Sequence, residues 1–130
     1  MTGSGTGALG DEKNCIVCGR RFGWRTRWAD QWANIVHCSS RCARRRLTEV
    51  DRRLERTILD LLQSGAPAAA ISPGDAARVH GGGWRSLTER ARDAARRLAA
   101  SGSIEFVQRG HPVDASSAKG PVQLHARHLP

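Results

Sequence analysis

No apolar run in this 130-residue chain approaches the ~18–20 residues of a membrane-spanning helix, which excludes an integral helical membrane protein. The first ten residues, Met1 to Gly10, lack both a basic stretch and an apolar core. They therefore do not read as a secretory signal, and the expected compartment is cytoplasmic. Lysine is nearly missing, since 19 of the 21 bases are arginine, and the six aromatic residues are four Trp and two Phe with no Tyr. A phosphate-cradling nucleotide loop is missing too: Gly81-Gly82-Gly83 runs into Trp84 rather than into Lys-Ser or Lys-Thr. No Ser/His/Asp arrangement has a recognisable context. Ser72-Pro73-Gly74-Asp75 reads as a helix cap rather than a nucleophile, and His80, His111, His125 and His128 are too scattered to form a metal set. There is no internal repeat. These absences point away from an enzyme, and no small-molecule substrate is evident.

What is present is positive charge, unevenly placed. The formal net charge is +9. Residues 1–47 hold nine bases and three acids, and residues 48–130 hold twelve and nine. A basic surface suits a polyanion such as nucleic acid. Eight arginines crowd the first part: Arg20, Arg21, Arg25, Arg27, Arg41, Arg44, Arg45 and Arg46. They are candidate phosphate contacts, set against the plainer reading of a solvated, arginine-rich face.

All four cysteines lie in the same part, as Cys15-x2-Cys18 and Cys38-x3-Cys42. Two residues between thiols let both reach one ion from a tight turn, and Gly19 suits the left-handed backbone of such a knuckle. The second pair falls at a predicted helix start, whose free amides help offset thiolate charge. Four soft ligands in two close pairs select a structural, tetrahedral zinc ion. Two disulfides, a redox pair at Cys15 and Cys18, or an iron–sulfur cluster are the alternatives. Reduced cytosolic thiols weigh against the first, and the lack of a strand-helix context weighs against the second. His37 touches the second pair in sequence, but four cysteines already fill a shell. A stretch of about 30 residues cannot hold itself together without such a staple. Trp24, Trp28 and Trp32 recur at spacing four with Ile35 near the same helical face. They read as a core stripe over the knuckle, or as a stacking platform for bases.

Along the chain we expect a disordered tail over 1–13, a zinc-finger module over 14–46 and a second domain over 47–127. A helix beginning at Ser39 or Ser40 extends to Ser64 with a break near Thr48, where Thr48 and Asp51 resemble a capping box. Leu47, Val50, Leu54, Ile58, Leu61 and Leu62 form its apolar face, and Gly65 and Pro67 end it. After the apolar Ala68–Ala70–Ile71, Ser72-Pro73-Gly74-Asp75 caps a short helix to about Val79. A third helix covers Trp84/Arg85 to Ala100. Ile104, Phe106 and Gln108 begin a strand, a loop covers Arg109 to Gly120, and Val122, Leu124 and Ala126 form a second strand. Three helices plus a β-hairpin wing is the order of a winged helix. The predicted fold class is therefore α+β, a small four-cysteine zinc finger followed by a winged-helix domain.

In such a domain the third helix enters the DNA major groove. Arg85, Arg92 and Arg96 are the candidate groove contacts here. Glu89 lies three before Arg92, and Asp93 three and four before Arg96 and Arg97, so intrahelical pairing would neutralise much of that face. The helix also has no Asn to read adenine.

The segment CIVCGRRFGWRTRWADQWANIVHCSSRC resembles a short bacterial family, domain of unknown function 2256, and its HCSSRC ending resembles treble-clef zinc fingers. The stretches LERTILDLL, ISPGDAAR, WRSL, ARRLAASGSIEFVQRG and VDASSAKGPVQL resemble domain of unknown function 3253, which is regarded as winged-helix-like. The resemblance implies this architecture and leaves function open. The sequence thus predicts a non-enzymatic zinc protein that contacts nucleic acid, DNA more readily than RNA. The alternative is a protein–protein adaptor whose zinc finger and winged helix are both structural. A redox- or zinc-responsive switch is a third reading.

Overall fold

Residues 7–65 and 70–127 are described by a computed structural model. Within them the chain is α+β, with four α-helices and two small antiparallel sheets. No helix among the described residues is long and apolar enough to cross a membrane.

The first sheet pairs β1 (Glu12–Asn14) with β2 (Arg21–Gly23), Lys13 lying opposite Phe22. Ordered chain thus begins inside the segment expected to be a tail, while residues 1–6 lie outside the described residues. The reason is Lys13, whose Nζ lies 4.4 Å from the Trp32 ring centre and donates to the Trp32 and Ile35 carbonyls, the latter at 3.0 Å. The segment Trp24–Ile35 is not the helix that its tryptophan spacing suggests. It forms two 3-10 turns, Thr26–Trp28 and Trp32–Asn34. The turns fold the chain around Phe22, whose ring centre is 5.8 Å from Trp28 and 5.7 Å from Trp32, both edge-on, while Trp28 stacks on Trp32 at 6.0 Å. Such edge-on and offset arrangements suit the charge distribution of aromatic rings.

Helix α1 (Ser40–Arg45) is capped by Ser39, whose side chain accepts from the Cys42 amide at 3.3 Å. It stops at Arg46, where φ is 56°. Helix α2 (Glu49–Ser64) restarts at the Thr48/Asp51 capping box, so the expected break is real. Leu54, Ile58 and Leu62 are buried on its inner face. Leu47 precedes α2 and packs against the cysteines instead. Gly65 caps the C-terminal end of α2, while Pro67 and Ala68 lie outside the described residues. Helix α3 (Pro73–Arg78) has Ser72 and Asp75 as its capping box. A 3-10 turn, Trp84–Leu87, leads into α4 (Thr88–Ala100). Ala91, Ala94 and Ala95 are fully buried there, which lets α4 pack closely on α2 and α3.

The second sheet has strand order β4-β3-β5, formed by β3 (Ile104–Gln108), β4 (His111–Val113) and β5 (Gln123–Ala126). The loop expected over 109–120 is thus interrupted by a strand. Arg109 and Gly110 both have positive φ, 52° and 81°, the conformation of a two-residue hairpin turn whose twist matches its strands. Ile71 adds a single bridge to Leu124 on the other side of β5. Phe106 and Leu124, opposite each other in the sheet, close the core against α2 and α4.

Candidate metal centre

The four cysteines come together from two loops. Cys15 and Cys18 sit on the turn between β1 and β2, and Cys38 and Cys42 on the capped start of α1. Cys15, Cys18 and Cys42 are buried and Cys38 is half-buried. None is in a disulfide. Their four Sγ atoms lie within 4.8 Å of one another, with Cys18–Cys38 at 3.6 Å and Cys38–Cys42 at 3.7 Å. A tetrahedral ion bonded to sulfur at ~2.3 Å needs sulfurs ~3.8 Å apart, so the residues present fit a metal. His37 is half-buried beside them and is not a member of the group.

The electrostatics of the group call for a cation. The hydrogen bond from Cys18 holds the Cys15 thiol down to about 4, against the opposing effect of burial. The same partnership and burial push Cys18 upward. Burial first, and then Cys38, push Cys42 upward. One thiol is held toward the thiolate, while hydrogen bonding and burial hold its neighbours neutral. A central cation would reverse that penalty and favour the thiolate form of all four. The Val17 amide, 3.5 Å from the Cys15 sulfur, contributes a backbone dipole.

The knuckle rests directly on α4. Gly19 has φ 77°, as its place after Cys18 predicts, and a Cβ there would lie 2.5 Å from the Arg96 Cβ and 2.6 Å from the Arg97 amide nitrogen. Arg97 donates to the Val17 carbonyl at 2.5 Å and to Glu55 of α2 at 2.5 Å. Arg96 donates to Asp93 at 2.6 Å and to the Cys18 carbonyl at 3.4 Å. On the far side Arg21 pairs with Asp114 and holds its carboxyl well below the usual range, and the Arg21 amide donates to Ser116 at 2.9 Å. Replacing Gly19 with Ala combines backbone strain with a steric conflict, and is expected to cost about 2–4 kcal/mol. A change in melting stability below about 0.5 kcal/mol would show that the knuckle is not seated on α4.

These contacts divide the arginines. Arg96 is only 3% exposed, and burial, then Arg20, pull it below the ordinary guanidinium range. It is removed from the candidate groove contacts, because a guanidinium enclosed by Asp93 and the knuckle cannot reach a base. Arg92 is occupied by the carbonyls of Gly120 at 2.7 Å and Ala118 at 3.0 Å, not by Glu89. Arg45 is paired with Asp51 at 3.0 Å and Asp93 at 3.5 Å, and Arg21 with Asp114. Arg20, Arg25, Arg27, Arg41, Arg44 and Arg46 are exposed with no ion pair among the described residues. Arg85 is exposed and lies over Trp84 at 4.9 Å. The residue that ties the modules together, Arg97, is not among those that the sequence singles out. Its only signal there is adjacency to Arg96, and the expected partner, Asp93, belongs to Arg96 instead.

Two family models match successive parts of the chain. Residues 9–45 match the model of a family described as an uncharacterized protein conserved in bacteria (DUF2256). Residues 51–127 match that of a protein of unknown function (DUF3253). No curated protein matches the chain.

Proposed function

The chain belongs to the family described as protein of unknown function (DUF3253), and on that premise we propose that it is a non-enzymatic, cytoplasmic zinc protein that holds nucleic acid through its arginines. Zinc is the metal that four thiolates in a closed tetrahedral shell select. Cys15, Cys18, Cys38 and Cys42 would hold it, and the chemistry it supplies is charge neutralisation and cross-linking of the two loops. The unit over 51–127 is read as a winged helix. Its support is the order of helix, bridge residue Ile71, two helices and hairpin, with the last strand between Ile71 and β3.

The observation that carries the polyanion reading is the set of six exposed arginines of the cysteine module that have no carboxylate partner among the described residues. Free guanidiniums suit phosphate contacts, which displace counterions and make binding steeply salt-dependent. Duplex DNA and RNA titrated across a salt series should give a log–log slope of about −4 to −5, the footprint of about five phosphates. The double variant Arg25→Gln/Arg44→Gln should flatten it by about 2. Affinity that does not change with salt, or no binding to either polymer, would sink this reading.

The adaptor reading keeps one specific support. Arg92, Arg96 and Arg97 of α4 are bonded inside the molecule, so the helix that a winged helix would offer to a groove has few free cations. A stoichiometric protein partner that survives nuclease treatment would favour it.

A further inference from the structure

Between the cysteine module and α4 lies a cleft of about 290 Å³. Five guanidiniums line it from three places in the chain: Arg20 beside the knuckle, Arg41 and Arg45 on α1, and Arg90 and Arg96 on α4. Neither module has this cleft alone, and junctions between modules are where ligand sites concentrate. Crowding like charges around a cavity is unfavourable unless something anionic occupies it.

Two donor atoms there are buried without an acceptor, Nη1 of Arg45 and Nε of Arg96. Buried donors in folded proteins are almost always satisfied, so two orphans on residues that line one cleft indicate a missing acceptor. The thiolates are not that acceptor. Among the described residues no guanidinium donates to a cysteine sulfur; the sulfur contacts run to one another, to Ser39 and from the Val17 amide. Asp93 is shared by Arg45 and Arg96. Arg20 and Arg41 have no carboxylate partner among the described residues, and Glu89, which also lines the cleft, has no basic one.

We propose that this cleft binds phosphate, as the free ion or as a terminal monoester, in preference to a fully ionised oxyanion such as sulfate. The guanidiniums supply donors to the oxygens. Glu89 repels complete negative charge, but its carboxylate accepts a hydrogen bond from an oxyanion that keeps a proton. Inorganic phosphate keeps one near neutral pH, a monoester keeps one below its second pKa of about 6, and sulfate keeps none. A phosphodiester cannot meet the same condition, so the cleft takes a phosphate end rather than the interior of a strand. The site shares Arg20 and Arg41 with the exposed arginine set and does not depend on polymer binding.

The test is calorimetric titration of the zinc-loaded full chain with sodium phosphate and with sodium sulfate at fixed ionic strength. Phosphate is expected to bind about tenfold tighter than sulfate, and Arg41→Gln to weaken it about tenfold, the scale of one charge-assisted hydrogen bond. Arg44→Gln, one helical turn away but outside the cleft, should leave phosphate affinity unchanged while still weakening polymer binding. This separates failure of the cleft from failure of the nucleic-acid reading. Glu89→Gln should narrow the phosphate preference. A 5′-phosphorylated oligonucleotide that outcompetes its 5′-hydroxyl counterpart assigns the phosphate to a nucleic-acid end; equal affinity of the two assigns it to the free ion. No heat with phosphate, equal affinity for sulfate, or equal effects of Arg41→Gln and Arg44→Gln would overturn the proposal.

Discussion

Replacing Cys18 with serine is expected to abolish metal binding and unfold residues 11–46, while α2, α3, α4 and the second sheet remain folded. The size of the effect follows from what holds the first module together. Its buried apolar set is Val17, Trp32, Cys15, Cys18 and Cys42, too little for a stretch of this length to stand alone. Metal binding to small modules of this kind is worth on the order of 10–16 kcal/mol, and here nearly all of it would be folding energy. The rest of the chain should feel the loss, because Arg96 and Arg97 then lack the Cys18 and Val17 carbonyls. The measurement is metal content by elemental analysis together with amide dispersion of residues 11–46 by NMR. A serine variant that holds no metal yet keeps its dispersed spectrum would show that packing, not the ion, organises the module. Wild-type protein treated with a chelator should behave as the variant does.

The second large effect is expected at Asp51. Its side chain is fully buried, yet it accepts from the Thr48 amide at 2.8 Å, the Thr48 hydroxyl at 3.0 Å and Arg45 at 3.0 Å. Burial opposes its ionisation, but the Thr48 amide, Arg45 and the Thr48 hydroxyl outweigh it and hold the carboxyl below the usual range. Asp51→Ala removes a helix cap and leaves Arg45 half-buried with only Asp93. Breaking a buried pair from one side costs about 3–5 kcal/mol, roughly 10 °C in melting temperature for a chain of this size. The sign with pH is fixed. A carboxyl whose folded value is depressed stabilises the protein above its unfolded value, about 3.9, and loses that contribution as pH falls through the folded value. The gap between wild type and Asp51→Ala should therefore be largest near neutrality and narrow below about pH 4. A gap that is constant down to pH 2 would mean that the cost is one of packing rather than charge.

Features set by near neighbours are legible in the order of the amino acids. The two capping boxes are local chemistry, since a hydroxyl and an acid three residues on meet in the first turn whatever lies around them. The cysteine spacing is equally informative, because a two-residue gap and a helix start each fix their own pair. Sequence patterns mislead where distant residues decide. Trp24, Trp28 and Trp32 have helical spacing, but Phe22 and Lys13 across the first sheet draw Trp28 and Trp32 into two separate 3-10 turns. Strand β4 is hidden because Arg109 is a poor sign of a turn needing positive φ, and only the pairing of β4 with β3 compensates for that conformation. Arg96 and Arg97 look like solvent-facing helix charges until the knuckle is placed over them. No pattern within α4 announces that the partner is a backbone carbonyl of the cysteine knuckle, far earlier in the chain.

The stacked Trp28 and Trp32 give the molecule an optical property. With no tyrosine in the chain, near-ultraviolet absorption and emission belong almost wholly to four indoles, three of them in the cysteine module. Trp84 is apart from these, flanked by the guanidiniums of Arg78 at 4.7 Å and Arg85 at 4.9 Å. Two indoles stacked with ring centres 6.0 Å apart couple their transitions, so the near-ultraviolet circular dichroism of the intact protein reports the state of one small module. The chain carries its own dye for the fold of the cysteine module, and needs no label for that half to be followed separately from the helices beside it.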